Sequence, residues 1–187
     1  MKKYYQLISE LEIDGAWYFG DILDDSGKEF LGITFRSGKP FHVRHNLFVE
    51  LSVPGSSVDY RFNFQAVPVV SIALAKVIER IDAKACQFIP VIIRPSTDGY
   101  GILNVLEVLK GLDYDQTIIK RFSKDDPVWP EKAGQIDSLS NLTIDPTKVQ
   151  GHHIFLLAER PIVLIVSETL KNALEEKNFT GMKFIPA

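Results

Sequence analysis

Two stretches of this 187-residue chain, 96 positions apart, follow the same order. Val69-Val70-Ser71 leads into Leu74, Val77, Ile78 and Ile81, which recur at i, i+3, i+4 and i+7 and so share one helical face. Ile165-Val166-Ser167 leads into Leu170, Ala173 and Leu174 at the matching positions, and Phe184-Ile185-Pro186 lands on Phe88-Ile89-Pro90 without a gap. Each serine suits the cap position, where a hydroxyl accepts from a first-turn amide that has no partner inside the helix. The pattern predicts one strand–helix–strand unit used twice, over 67–93 and 162–186, with Phe88 and Phe184 facing a common core. A chain built on two such units belongs to the α+β class.

The residues before the first unit alternate instead. Val58, Tyr60, Phe62 and Phe64 are apolar while Asp59, Arg61, Asn63 and Gln65 are polar, the period of a strand with one buried face. Leu47, Val49, Leu51 and Val53 repeat it and stop at Pro54-Gly55, a turn dipeptide. Leu31, Ile33 and Phe35 do so again before the turn Ser37-Gly38-Lys39-Pro40, which leads into Phe41-His42-Val43-Arg44. Asp24-Asp25-Ser26-Gly27 has hairpin chemistry. The fold expected is therefore an N-terminal antiparallel β meander followed by two similar strand–helix–strand units. Its parts are a β-rich stretch over 1–65 and an α+β stretch over 66–187, joined in one unit. Between the repeats, Gly99 to Leu109 reads as a strand or a strand entering a turn. Ser123 to Asn141 has no period and holds Pro127 and Pro130, so it reads as a long loop, either a binding surface or a mobile segment.

Composition narrows the function classes. Hydrophobic residues at 45% and charged ones at 24% are those of a chain with a packed core, not of a disordered one. A formal charge of −3 gives no general attraction to nucleic acid or anionic membrane. A single cysteine, Cys86, excludes an internal disulfide and any zinc site made of cysteine pairs. The apolar start Tyr4 to Ile8 is broken by Ser9 and Glu10, too short for a signal peptide. Val67 to Ala75 and Pro161 to Val166 fall far short of the roughly 20 residues that span a bilayer. A cytoplasmic protein is expected.

No catalytic constellation stands out. His152 and His153 are adjacent, and His42 and His45 are three apart, so on strands neither pair lines one pocket; no metal site is expected. Ser71 and Ser167 open helices after strands, as a nucleophile elbow does, but lack the flanking glycines that let such a turn bend sharply. Cys86, on an apolar strand, reads as a buried thiol. Asp113 and Asp115 suit a solvated turn. Gly99-Tyr100-Gly101 lacks the third glycine of a dinucleotide loop, so no cofactor is expected.

The order of the blocks is more specific than any one of them. Tyr4-Tyr5-Gln6-Leu7, Gly15-Ala16-Trp17, Val67-Pro68-Val69-Val70-Ser71, Phe88-Ile89-Pro90-Val91 and Ile102-Leu103-Asn104-Val105 come first. Lys132-Ala133-Gly134, Leu142-Thr143-Ile144-Asp145-Pro146, His153-Ile154-Phe155, Ile165-Val166-Ser167-Glu168 and Gly181-Met182-Lys183-Phe184 follow. From about residue 4 to 186 this series resembles the eleventh immunity-protein family of bacterial polymorphic toxin systems, whose prototype is myxobacterial. Two places depart from the family pattern: Thr117 stands where a serine is usual after Asp113, and Leu156 where an arginine is common after Phe155. The resemblance implies a non-enzymatic cytoplasmic protein that neutralises a cognate protein toxin by binding it, with no nucleic-acid or membrane partner.

Binding by affinity needs a surface with a few strong anchors. The segment Lys124 to Gln135 offers one: Trp129 between Pro127 and Pro130, with Asp125, Asp126 and Glu131 around it to steer a basic face. The competing reading has Trp129 folded back to pin the loop. Two other functions stay open: a small-molecule or enzymatic domain with its site between the two units, and a structural protein that self-associates, for instance as a homodimer.

Overall fold

The computed structural model describes residues 3–94, 96 and 98–187. The first half runs Tyr4–Ser9 (β1), Tyr18–Asp24 (β2), Glu29–Phe30 (β3), Leu47–Val53 (β4), Tyr60–Phe62 (β5), Pro68–Ser71 (β6), Ile72–Ile81 (α1) and Cys86–Ile92 (β7). Then come Tyr100–Val105 (β8), Val108–Leu109 (β9), Ile118–Arg121 (β10), Ile136–Ser140 (β11), Ile154–Leu157 (β12), Leu164–Ser167 (β13), Glu168–Glu175 (α2) and Met182–Pro186 (β14). Among the described residues these make fourteen strands and two helices, a mixed α+β fold.

Two large sheets carry the molecule. One has the order β3-β2-β4-β7-β8-β6-β5, the other β14-β1-β13-β12-β9, and β10 and β11 form a separate hairpin. The N-terminal pairs β2–β3 and β2–β4 are antiparallel, as the meander requires. Strands β6 and β7 flank β8 and are each antiparallel to it; β13 and β14 flank β1 in the same way. Each helix thus joins two strands that are separated by a third. Strand β1, from the first residues of the chain, fills that third place in the C-terminal unit.

Three apolar layers follow from this arrangement. The central one takes Leu74, Val77 and Ile78 of α1, Leu170 and Leu174 of α2, and strand residues of both sheets, among them Leu7, Val70, Leu103, Leu156 and Val166. A second cluster, with Trp17, Phe19, Val49, Val69, Ile89 and Ile102, covers the other face of the seven-stranded sheet. A third, with Tyr4, Phe155, Leu157 and Ile165, covers the other face of the five-stranded one. Sheets buried on both faces lose the polar–apolar alternation in their centres, so β6, β12 and β13 read as unbroken apolar runs. Phe88 and Phe184 are both half-buried against the central cluster.

Several expectations from alternation need correcting. Leu31, Ile33 and Phe35 are not on a strand: Gly32–Phe35 is a 3-10 turn that buries Phe35 and leaves Leu31 and Ile33 exposed. Phe41 to Arg44 is irregular. The strand expected over 58–65 is only Tyr60–Phe62; Val58 and Tyr60 are buried as the alternation requires, but Arg61 (1% exposed) and Asn63 (3%) are buried as well and Phe64 is 67% exposed. The cause is local. Arg61 lies over the Tyr18 ring and donates to the Glu10 carbonyl at 2.9 Å, and Asn63 bonds three backbone groups, one on β2 and two in its own turn. Ser123 to Asn141 is not one long loop, because Ile136–Ser140 pairs with β10.

The residues just before the first unit meet the second at a close joint. Tyr60 donates its amide to the Thr180 carbonyl at 3.1 Å, and Asp59 accepts from both the amide and the hydroxyl of Thr180, at 2.9 and 3.1 Å. Gly181 then passes against the Tyr60 carbonyl at φ 88°, where a Cβ would collide. Only glycine fits there.

Candidate functional site

The hairpin of β10 and β11 presents the segment in which the interface was expected. Ile119 and Leu139 stand opposite each other and pack on the third core cluster, which fixes the hairpin's inner face. Thr117 donates its hydroxyl to the Thr143 carbonyl (3.3 Å) and accepts the Thr143 amide (3.0 Å), while Arg160 donates to the Ile136 carbonyl (3.0 Å). The base is therefore tied to the sheet. On the outer face Lys120 and Asp137 form an ion pair at 2.9 Å, and that bond to the carboxylate holds the lysine's pKa above its ordinary value.

The tip is ordered by its own residues. Phe122 and Gly134 close it: the Phe122 amide donates to Gln135 and the Gly134 amide to Phe122, each at 3.0 Å. Asp126 Oδ1 accepts the amides of Val128 (3.0 Å) and Trp129 (2.7 Å), and these two bonds hold its carboxyl below the usual range. Pro130 then starts a 3-10 turn over Pro130–Lys132. Trp129 is 46% exposed, next to an exposed Val128, so its ring is not buried in the domain. Lys132 covers one ring face, with Nζ 3.6 Å from the centroid. The spacing of three residues across a 3-10 turn brings lysine and indole together, a signal in the sequence that alternation and charge counting pass over. Asp125 and Glu131 point to solvent.

The histidines and serines fall elsewhere. His45 lies 3.2 Å from the Asp25 carboxylate, and His152 3.8 Å from that of Glu107. None of His42, His45, His152 and His153 is on a strand, so strand geometry is not what separates them; His45, His152 and His153 lie beside Asp25, Glu107 and Ser167 in turn. Among the described residues no group of three His, Cys, Asp or Glu side chains could hold a metal ion. Ser71 and Ser167 cap their helices, each accepting the amide three residues on at 3.3 Å. Ser71 donates to Asp59 at 2.9 Å, while Ser167 sits 2.8 Å from His153 Nδ1. Asp82 completes the residue types of a hydrolytic triad beside His153, but it accepts the histidine's backbone amide, not its imidazole. With Ser167 buried and its oxygen engaged by Leu170, the group braces a helix start. Burial and the nearby Asp82 and Glu107 push the Cys86 thiol well up, away from the reactive thiolate.

The space between α1 and α2 is filled by the central core. A cleft of about 330 Å³ opens at its edge beside α1, lined by Ala75, Glu79, Asp82, Cys86 and Phe88, and others lie away from it. One of about 890 Å³ runs over β2 and β4, lined by Leu23, Phe48, Leu51, Ile92 and Arg94. Another, of about 400 Å³, lies between Leu11, Tyr18, Phe62 and Phe64. No helix among the described residues is long and apolar enough to cross a membrane.

Comparison with curated proteins finds no match. Comparison with protein families matches residues 40–187, a span that holds β4 to β14, both capped helices and the whole hairpin. On that match the chain belongs to the Imm11 immunity protein family.

Proposed function

We propose that this protein protects the cell that makes it by binding a cognate toxin in the cytoplasm and blocking it, without catalysis, and that the hairpin tip over 124–135 is the docking surface. The observation that carries this reading is Trp129: a large aromatic side chain left half in water by a tip whose backbone is held by Asp126 and two prolines. A tip ordered before contact loses little entropy on docking, and tryptophan is a favoured interface anchor. Asp125 and Glu131, exposed beside it, steer a basic partner, and Lys132 on the ring leaves the opposite face for the toxin.

The test begins with toxin genes neighbouring this one. A toxin whose lethality this chain alone relieves is the partner, and direct binding follows from co-purification of the two. Trp129→Ala is then expected to weaken binding by more than about 2 kcal/mol, close to thirtyfold or more, with the melting temperature unchanged. A variant that melts lower and binds as before would move the site off the hairpin.

A further inference from the structure

The turn after β5 holds an aromatic ring out in water. Asn63 organises it: Oδ1 accepts the amides of Gln65 and Val67 at 3.0 and 2.9 Å, and Nδ2 donates to the Gly20 carbonyl at 3.1 Å. Ala66 closes the turn at φ 57°, a region that a β-carbon disfavours. Gln65 accepts the Gly32 amide and donates towards Asp21 and Glu29, at 3.4 and 3.3 Å. Phe64, exposed at 67%, is thus fixed from both sides without being covered. Strain of this kind persists where the surroundings enforce it, and it gathers at ligand and partner sites.

Beside Phe64 lies the cleft of about 400 Å³, whose other walls are Leu11, itself 63% exposed, Tyr18 and Phe62. The Tyr18 wall is stiff because the Arg61 guanidinium sits 4.2 Å from its ring centroid. Knob and cleft adjoin, so shape alone would also suit a second copy of this chain. Charge decides against it. Glu12, Asp21 and Glu29 border this surface and make no ion pair among the described residues. Of the cations nearby, Lys183 lies 3.9 Å from Glu10, Lys28 lies over the Phe30 ring, Arg61 is buried and Arg36 is half-buried against Gly32. Two copies would set like charges face to face.

We infer that Phe64, Leu11 and the cleft between them are a second docking surface, taken by a basic protein face that offers an apolar pocket to Phe64. The partner is the toxin of the preceding section, so the inference rests on that reading. Burial of Phe64 supplies affinity, and the carboxylates supply speed and sign.

The test uses full-length chains and the toxin whose lethality this protein relieves. Phe64→Ala and Leu11→Asp are expected to weaken binding about thirtyfold each at unchanged melting temperature, since both side chains are mostly in water. Glu12→Lys with Glu29→Lys is expected to slow association about tenfold at low salt, with the gap closing at high salt. Native affinity in both apolar variants overturns the inference and leaves the toxin reading standing. Failure of the unaltered chain to bind or relieve any neighbouring toxin overturns both. A dimer in light scattering that Phe64→Asp dissociates would assign the patch to self-association and also overturn it.

Discussion

Ser71 and Ser167 each do two things with one oxygen: accept the first-turn amide of a helix, and contact a second group, Asp59 or His153. Replacing either by alanine leaves an amide and a polar partner unsatisfied, so each change is expected to cost about 1–2 kcal/mol in urea denaturation. A midpoint that does not move in either variant would show the caps to be idle. Ala66 is the opposite case, a residue whose backbone works against it. Ala66→Gly relieves the left-handed strain at the cost of a freer unfolded chain, for a net gain of up to about 1 kcal/mol. A lower melting temperature for that variant would mean that the turn is not strained. The serines were legible from the sequence because a cap is decided by its own residue and the next three. Arg61 and Asn63 were not, because their partners Tyr18, Glu10 and Gly20 lie more than forty positions away in the chain.

At the scale of elements, the helices followed their periodicity and the short strands did not. Helix α1 needs only Leu74, Val77, Ile78 and Ile81 on one face, a pattern complete within one segment. Strands β10 and β11 are four and five residues long with a bulge between Lys120 and Arg121, so neither shows a period by itself and only their pairing defines them. That is why the hairpin reads from sequence as a loop, although its tryptophan and carboxylates could be picked out by type. Its tip has a pH dependence. Asp126 has a carboxyl pKa held down by the Val128 and Trp129 amides, so its contribution is complete above the unfolded value of about 4 and is lost as pH falls through the lower folded value. The indole resonance of Trp129 is expected to hold its position down to about pH 4 and to shift only below it. Loss of tip order already near pH 6 would mean that another group holds the turn.

The whole molecule depends on β1. Leu7 is fully buried in the cluster that both helices and both sheets share, and β1 is hydrogen-bonded between β13 and β14. Leu7→Ala is expected to cost about 2–5 kcal/mol and to lower one common transition. Trp17, in the outer core of the seven-stranded sheet, and Trp129, on the hairpin, should report the same midpoint. Separate midpoints would make the hairpin independent of the seven-stranded sheet. The same placement sets a schedule. On the ribosome β1 emerges long before its neighbours, since Leu164, the start of the first of them, lies 155 positions after Ser9. At roughly 5–20 residues per second that is a wait of about 8–30 s in which Tyr5 and Leu7 have nothing to pair with. The five-stranded sheet therefore closes only after nearly all of these residues have been made, and a copy cut short before Leu164 leaves β1 without either neighbour.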